Sequence, residues 1–94
     1  MECYLDVATS TKHPFWVFLG TAPDVADLTQ IENIEVVVAK QTDPQVLTWL
    51  SRIGERRLKL HLKFVDEEGG FKAEHWLADI EPQADGTQLV FLRR

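Results

Sequence analysis

Residues 42–65 read TDPQVLTWLSRIGERRLKLHLKFV, and within this one stretch the apolar period changes from that of a helix to that of a strand. Asp43 stands where a helix cap belongs, and Pro44 stands at the first helical position, where its missing N–H has no intrahelical partner to lose. Val46, Leu47, Leu50 and Ile53 recur at helical spacing with Trp49 at the border of the stripe, and Gly54 offers the left-handed conformation that ends a helix. From Leu58 the pattern alternates, with Leu58, Leu60, Leu62 and Phe64 on one face and Lys59, His61, Lys63 and Val65 on the other. The spacing predicts a helix over residues 43–54 and then a strand with one buried face.

Upstream, Ile34 to Ala39 contains three consecutive Val, a pattern that suits a central strand covered on both faces. The 18 residues between Ala39 and Leu58 include the helix, which is enough chain for a right-handed crossover that would set the two strands parallel. Cys3 to Val7 and Phe15 to Leu19 read as a hairpin across the polar segment from Ala8 to Pro14. Thr21-Ala22-Pro23-Asp24 then starts a short helix over residues 23–30, with Asp24 reaching back toward the Thr21 amide.

Downstream, Asp66 to Gly70 is a turn. An odd number of loop residues sets Phe64 opposite Glu74 and Leu62 opposite Trp76, and places Trp76, Ala78 and Ile80 on the core side. An even number turns His75 and Asp79 inward, where both would need buried partners, so the odd loop is expected. Asp85-Gly86 suits a two-residue hairpin turn, which sets Ile80 opposite Phe91 in a last strand from Gln88 to Leu92. The fold class expected is α+β: one mixed, mostly antiparallel sheet of five to six strands, one well-formed helix and one short helix. No linker-like stretch or internal repeat divides residues 1–94, so a single domain is expected.

The chain has 94 residues, a net charge of −5 and 45% hydrophobic residues, a composition neither disordered nor fibrous. A lone Cys3 makes no intramolecular disulfide, the longest apolar runs fall far short of a bilayer span, and no secretory signal opens the sequence. A cytoplasmic protein free of membrane is the expectation. Residues 1–47 carry two basic and seven acidic side chains, whereas residues 48–94 carry eight of each, so the acidic surplus belongs to the first half.

Against that background Arg52, Arg56, Arg57, Lys59 and Lys63 stand out, with Lys59, His61 and Lys63 sharing one strand face that could track phosphates or grip carboxylates. Recognition patterns for nucleic acid are otherwise absent, and the overall charge disfavours it. His61-Leu62-Lys63 followed by Asp66, Glu67 and Glu68 is similar over a short stretch to the phospholipase D superfamily signature. That resemblance implies a nucleophilic His61 and a phosphate-binding Lys63 in a phosphodiesterase half-site completed by dimerisation. The sequence departs from the signature in carrying Glu68 where Asp is expected and in lacking the downstream Gly-Ser-x-Asn segment.

Metal spacing is lacking among His13, His61, His75 and Cys3, and neither Ser10 nor Ser51 sits in a nucleophile elbow, so no metal, cofactor or catalytic residue is expected. Phe15-Trp16-Val17-Phe18-Leu19 has large side chains on both faces. The set of Trp16 and Phe18, or that of Phe15, Val17 and Leu19, must therefore be covered by the long helix, by a partner or by a second copy. Leu89 to Leu92 raises the same prospect of a homodimer through an edge strand.

The leading expectation is a small acidic protein-interaction module without catalysis, an adaptor, inhibitor or assembly factor that meets a basic partner. Trp16, Phe18, Arg56, Arg57, Lys59, His61 and Lys63 are its candidate contact residues. A nucleic-acid or phosphate-ligand binder using the basic 52–63 surface is the alternative.

Overall fold

A computed structural model of the chain describes residues 1–7, 16–55 and 58–94. Along the sequence it places β1 (Glu2–Asp6), β2 (Trp16–Thr21), a 3-10 turn (Leu28–Gln30), β3 (Asn33–Val38), α1 (Pro44–Glu55), β4 (Leu58–Val65), β5 (Phe71–Pro82) and β6 (Gln88–Arg93). The expected mixture of helix and sheet is present, but the sheet closes on itself as a six-stranded barrel in the order β1-β2-β3-β6-β5-β4. Every pairing is antiparallel, including β1 with β4, which closes the ring.

The expected parallel pair of β3 and β4 does not form, because these strands stand on opposite sides of the ring. The end of β3 at Val38 faces Gln88, and the start of β4 at Leu58 faces Ala78, so both lie at the same end of the barrel. A connection between them must cross that end, and α1 is the connection. Asp43 caps it as the sequence implies: its Oδ1 accepts from the Gln45 amide at 2.9 Å and its carbonyl from the Leu47 amide at 3.0 Å. Val46, Leu50 and Ile53 are buried into the barrel core, while Leu47 is 41% exposed, so the apolar stripe is narrower than the sequence suggests. Gly54 does not end the helix in a left-handed turn; α1 runs on to Glu55, and a Cβ on Gly54 would lie 2.8 Å from Ile80 Cγ2. Close packing on β5 is what this glycine serves.

Each strand sends alternate side chains inward. Leu60, Leu62 and Phe64 of β4 are buried as their period predicts, and they meet Cys3 and Leu5, Ile34, Val36 and Val38, Trp76 and Ala78, and Val90 and Leu92. Closure leaves every strand one wet face, so β3 is not covered on both sides: Val37 is 57% exposed between buried Val36 and Val38.

Both late hairpins differ in register from the sequence expectation, each for a side-chain reason. Between β4 and β5 the loop is odd, as expected, but ladder pairing sets Phe64 opposite Lys72, Leu62 opposite Glu74 and Leu60 opposite Trp76, two residues away from the expected partners. Asp66 closes the turn early, its Oδ1 accepting from the Glu68 and Gly70 amides at 3.0 and 2.8 Å, with Gly69 at φ +85°. Trp76 and Ala78 reach the core and Ile80 is half-buried. Between β5 and β6 no two-residue turn forms. Among the described residues only Gly69 and Gly86 take positive φ, so Asp85 does not adopt the conformation that such a turn requires. Its Oδ1 accepts instead from the Thr87 amide at 2.9 Å and hydroxyl at 2.6 Å, and Ile80 faces Val90 rather than Phe91.

The short helix shrinks to the 3-10 turn. Asp27 starts that turn late by accepting from the Thr29 amide, and Asp24 accepts from the Met1 ammonium at 2.9 Å rather than turning back to Thr21. Arg94 fastens this segment over the barrel end opposite α1. Its guanidinium lies 4.4 Å over the Trp76 ring, donates to the Ile31 carbonyl at 2.9 Å and pairs with Glu74 at 2.6 Å.

Candidate functional site

A β-bulge in β2 decides which aromatic side chains face outward. Cys3 pairs with Gly20 but Tyr4 pairs with Phe18, so Leu19 is an extra residue in the ladder. Leu19 and Gly20 are both buried, whereas Trp16 and Phe18 lie on the outer face of the barrel, with Phe18 45% exposed. The long helix does not cover them, because it crosses the end of the barrel rather than its side. Gly20 is required here: a Cβ would stand 2.6 Å from Val36 Cγ1 and 3.0 Å from the Val37 carbonyl oxygen.

Strand register then assembles an outer face from β2, β1, β4 and β5. One cross-strand row runs Phe18, Tyr4, Lys63, Ala73; a second joins Trp16 to Asp6 and His61 to His75; a third joins Glu2 to Val65 and Phe71. The Tyr4 and Phe18 rings meet edge to face at 5.6 Å, His61 stacks on His75 at 4.7 Å, and Trp16 lies 5.2 Å from His61 on its other side. His61 Nδ1 is 3.5 Å from Asp6 Oδ2.

Opposite the small Ala73, the Lys63 side chain has room to lie across its neighbours. Its ammonium is 4.9 Å from the Tyr4 ring centroid, 5.1 Å from that of Trp16 and 5.7 Å from that of Phe71. Each cation–π contact at a partly exposed site contributes about 0.5–1 kcal/mol. Tyr4 also donates its hydroxyl to Glu2 at 2.9 Å, and that carboxylate holds the phenol above its ordinary range, with desolvation and Coulombic repulsion adding to it. Phe71, 70% exposed, ends the patch at the β4–β5 turn.

Of the residues singled out from sequence, Trp16, Phe18, His61 and Lys63 are brought together, and Lys59 follows on the same face beside Leu77. Arg56 and Arg57 lie outside the described residues, as do His13 and Phe15. Arg52 is separate from the patch, with its guanidinium 4.9 Å over the Trp49 ring on α1. Sequence reasoning missed Tyr4, Asp6 and Phe71 as contact residues and weighed His75 only as a metal ligand. The period-two alternation of Tyr4 with buried Cys3 and Leu5 was the available signal; Phe71 had none, because its place depends on where Asp66 closes the turn. The same two-residue register difference pairs His61 with His75 across β4 and β5, where the expected register would have set His75 opposite Lys63; among the described residues no three His, Cys, Asp or Glu side chains gather to hold a metal.

The single thiol, on β1 between Glu2 and Tyr4, points through the wall into the core rather than onto this face. Cys3 is fully buried, and burial pushes its pKa up to about 12. The other route raised by the sequence, dimerisation through β6 as a bare edge strand, is overturned: β6 is paired on both sides, with β3 and with β5. No helix among the described residues is long and apolar enough to cross a membrane. No protein-family model, no curated protein and no solved structure matches the chain.

Proposed function

We propose that the chain is a non-catalytic protein-binding module whose contact surface is the outer face of β2, β1, β4 and β5. The observation that carries the reading is the contiguous run of Phe18, Tyr4, Trp16 and Phe71 around one ammonium, with Phe18 45% and Phe71 70% exposed. Rigid aromatic side chains at the centre of a patch are what concentrates binding energy at protein interfaces, and a barrel wall holds them in place before the partner arrives. Phosphate backbones are a poorer match. The Lys63 charge is shared among three rings, Asp6 and Glu2 stand on the same face, and the whole chain carries −5.

Phe18→Ser tests the reading because Phe18 is exposed and outward, so its loss leaves the core intact. Cross-linking in the native cell followed by mass spectrometry should recover a protein with the wild-type chain and lose it with Phe18→Ser. Recovery of the same set by both chains refutes the proposal. A mobility shift with single-stranded DNA or RNA at low salt, abolished by Lys59→Ala together with Lys63→Ala, also refutes it and favours a nucleic-acid ligand.

A further inference from the structure

The patch continues, through Phe71, into a cleft at the barrel end opposite α1. Phe71 forms one wall of this cleft, with Met1, Val25, Leu28 and Phe64 supplying an apolar floor. Carboxylates rim it. Asp27 and Asp66 line the cleft itself, Glu2 and Glu67 line the groove that adjoins it across Met1, and Asp24 touches Glu67. The acidic surplus of the first half of the sequence and the acidic β4–β5 turn thus converge at one pole.

Two of these carboxylates are fixed by the backbone. Asp66 accepts from the Glu68 and Gly70 amides, and Asp27 accepts from the Thr29 amide and hydroxyl at 2.9 and 2.7 Å. Those Thr29 bonds also hold the Asp27 carboxyl below its ordinary range, so it stays charged. Two cations line the cleft, both engaged: Lys72 is turned to Glu74 at 3.3 Å and the Met1 ammonium pairs with Asp24 at 2.9 Å, which leaves the carboxylates in excess.

We propose that this cleft takes a basic segment of a partner protein, one that sets an apolar side chain on the floor between Phe71 and Leu28 and its lysines or arginines on the carboxylate rim. The occupant follows from charge complementarity: an apolar floor selects a large hydrocarbon side chain, and a rim on which carboxylates outnumber cations selects flanking cations and disfavours acidic sequences. The proposal rests on the protein-binding reading and names the chemistry of the partner.

An end-capped Lys-Leu-Lys-Leu-Lys peptide and its Glu-Leu-Glu-Leu-Glu counterpart serve as probes, titrated into the full chain at low salt with amide NMR shifts as the readout. The lysine peptide should shift Leu28, Gly69, Gly70 and Phe71 saturably, and the glutamate peptide should not. Glu67→Lys with Glu68→Lys, and separately Phe71→Ser, should each weaken binding at least tenfold. All three residues are exposed, and an unchanged spectrum elsewhere shows that the barrel remains. Shifts confined to other strands, equal response to both peptides, or no saturable response overturns the proposal. Failure here with cellular capture still dependent on Phe18 refutes the cleft alone; loss of that dependence refutes the broader reading.

Discussion

Replacing Gly20 by alanine sets two ordinary effects of opposite sign against each other, and the structure decides between them. A glycine inside a strand costs about 0.5–1 kcal/mol relative to alanine through the freedom it gives the unfolded chain, so a generic strand would be stabilised. Here the new methyl would lie 2.6 Å from Val36 Cγ1 and 3.0 Å from the Val37 carbonyl oxygen. Val36 is fully buried, and Val37 is the residue through which β2 pairs with β3, at the single rung Thr21–Val37. Neither neighbour can retreat without disturbing the core or that rung. Overpacking of this kind costs about 1–3 kcal/mol, which exceeds the generic gain.

Gly20→Ala should therefore lower stability by about 1–2 kcal/mol net, or about 4–8 °C in Tm per kcal/mol for a domain of this size. Urea unfolding followed by far-ultraviolet circular dichroism measures it. Val36→Ala leaves a cavity by itself, yet combined with Gly20→Ala it should recover at least about 0.5 kcal/mol relative to the sum of the single changes. A neutral or stabilising Gly20→Ala, or strict additivity in the double variant, would refute the argument that β3 crowds this position.

Four other expectations follow from the fold. Cys3 should resist a disulfide-exchange reagent at pH 8 until the protein unfolds, because its thiol is buried and remains protonated. With a folded value of about 12 against 9.0 for the free thiol, its contribution to stability is complete below pH 9 and is lost as the pH rises toward 12; Cys3→Ala should flatten that alkaline limb of a urea-midpoint profile. Gly69→Ala should cost about 1–2 kcal/mol by chemical denaturation from backbone conformation alone, since φ is +85° and no atom lies within 4 Å of an added Cβ. Thr87→Val should raise the carboxyl titration midpoint of Asp85, seen by carbon NMR, because the Thr87 hydroxyl is the foremost cause holding that carboxyl below its ordinary 3.8.

Local signals in the sequence identify most of the elements. The Asp43-Pro44 start of α1 and the alternation from Leu58 to Phe64 depend on nearest neighbours in the chain, and both are present as read. Features set by distant contacts are not legible in that way. Whether β1 finds β4, and so whether the sheet stays open or closes, depends on pairing between residues far apart in sequence. The two hairpin registers turn on single carboxylates, Asp66 and Asp85, whose side chains choose the turn. The outer face follows the same division. His61 and Lys63 are readable from one strand, and Trp16 and Phe18 from another. Their meeting with Tyr4 and Phe71 required the Leu19 bulge and the early turn at Asp66.

The cyclic strand order also governs how the molecule must be made. β1 cannot gain its second neighbour until β4 exists, and β3 waits longer still, since Asn33 meets Arg93 across 60 positions of chain. During synthesis the first three strands can form only a small meander with raw flanks on both sides, while the helix and the last three strands are still emerging. Assembly is therefore dominated by late, long-range docking of one meander onto the other, the slow regime of folding, on the order of milliseconds to seconds.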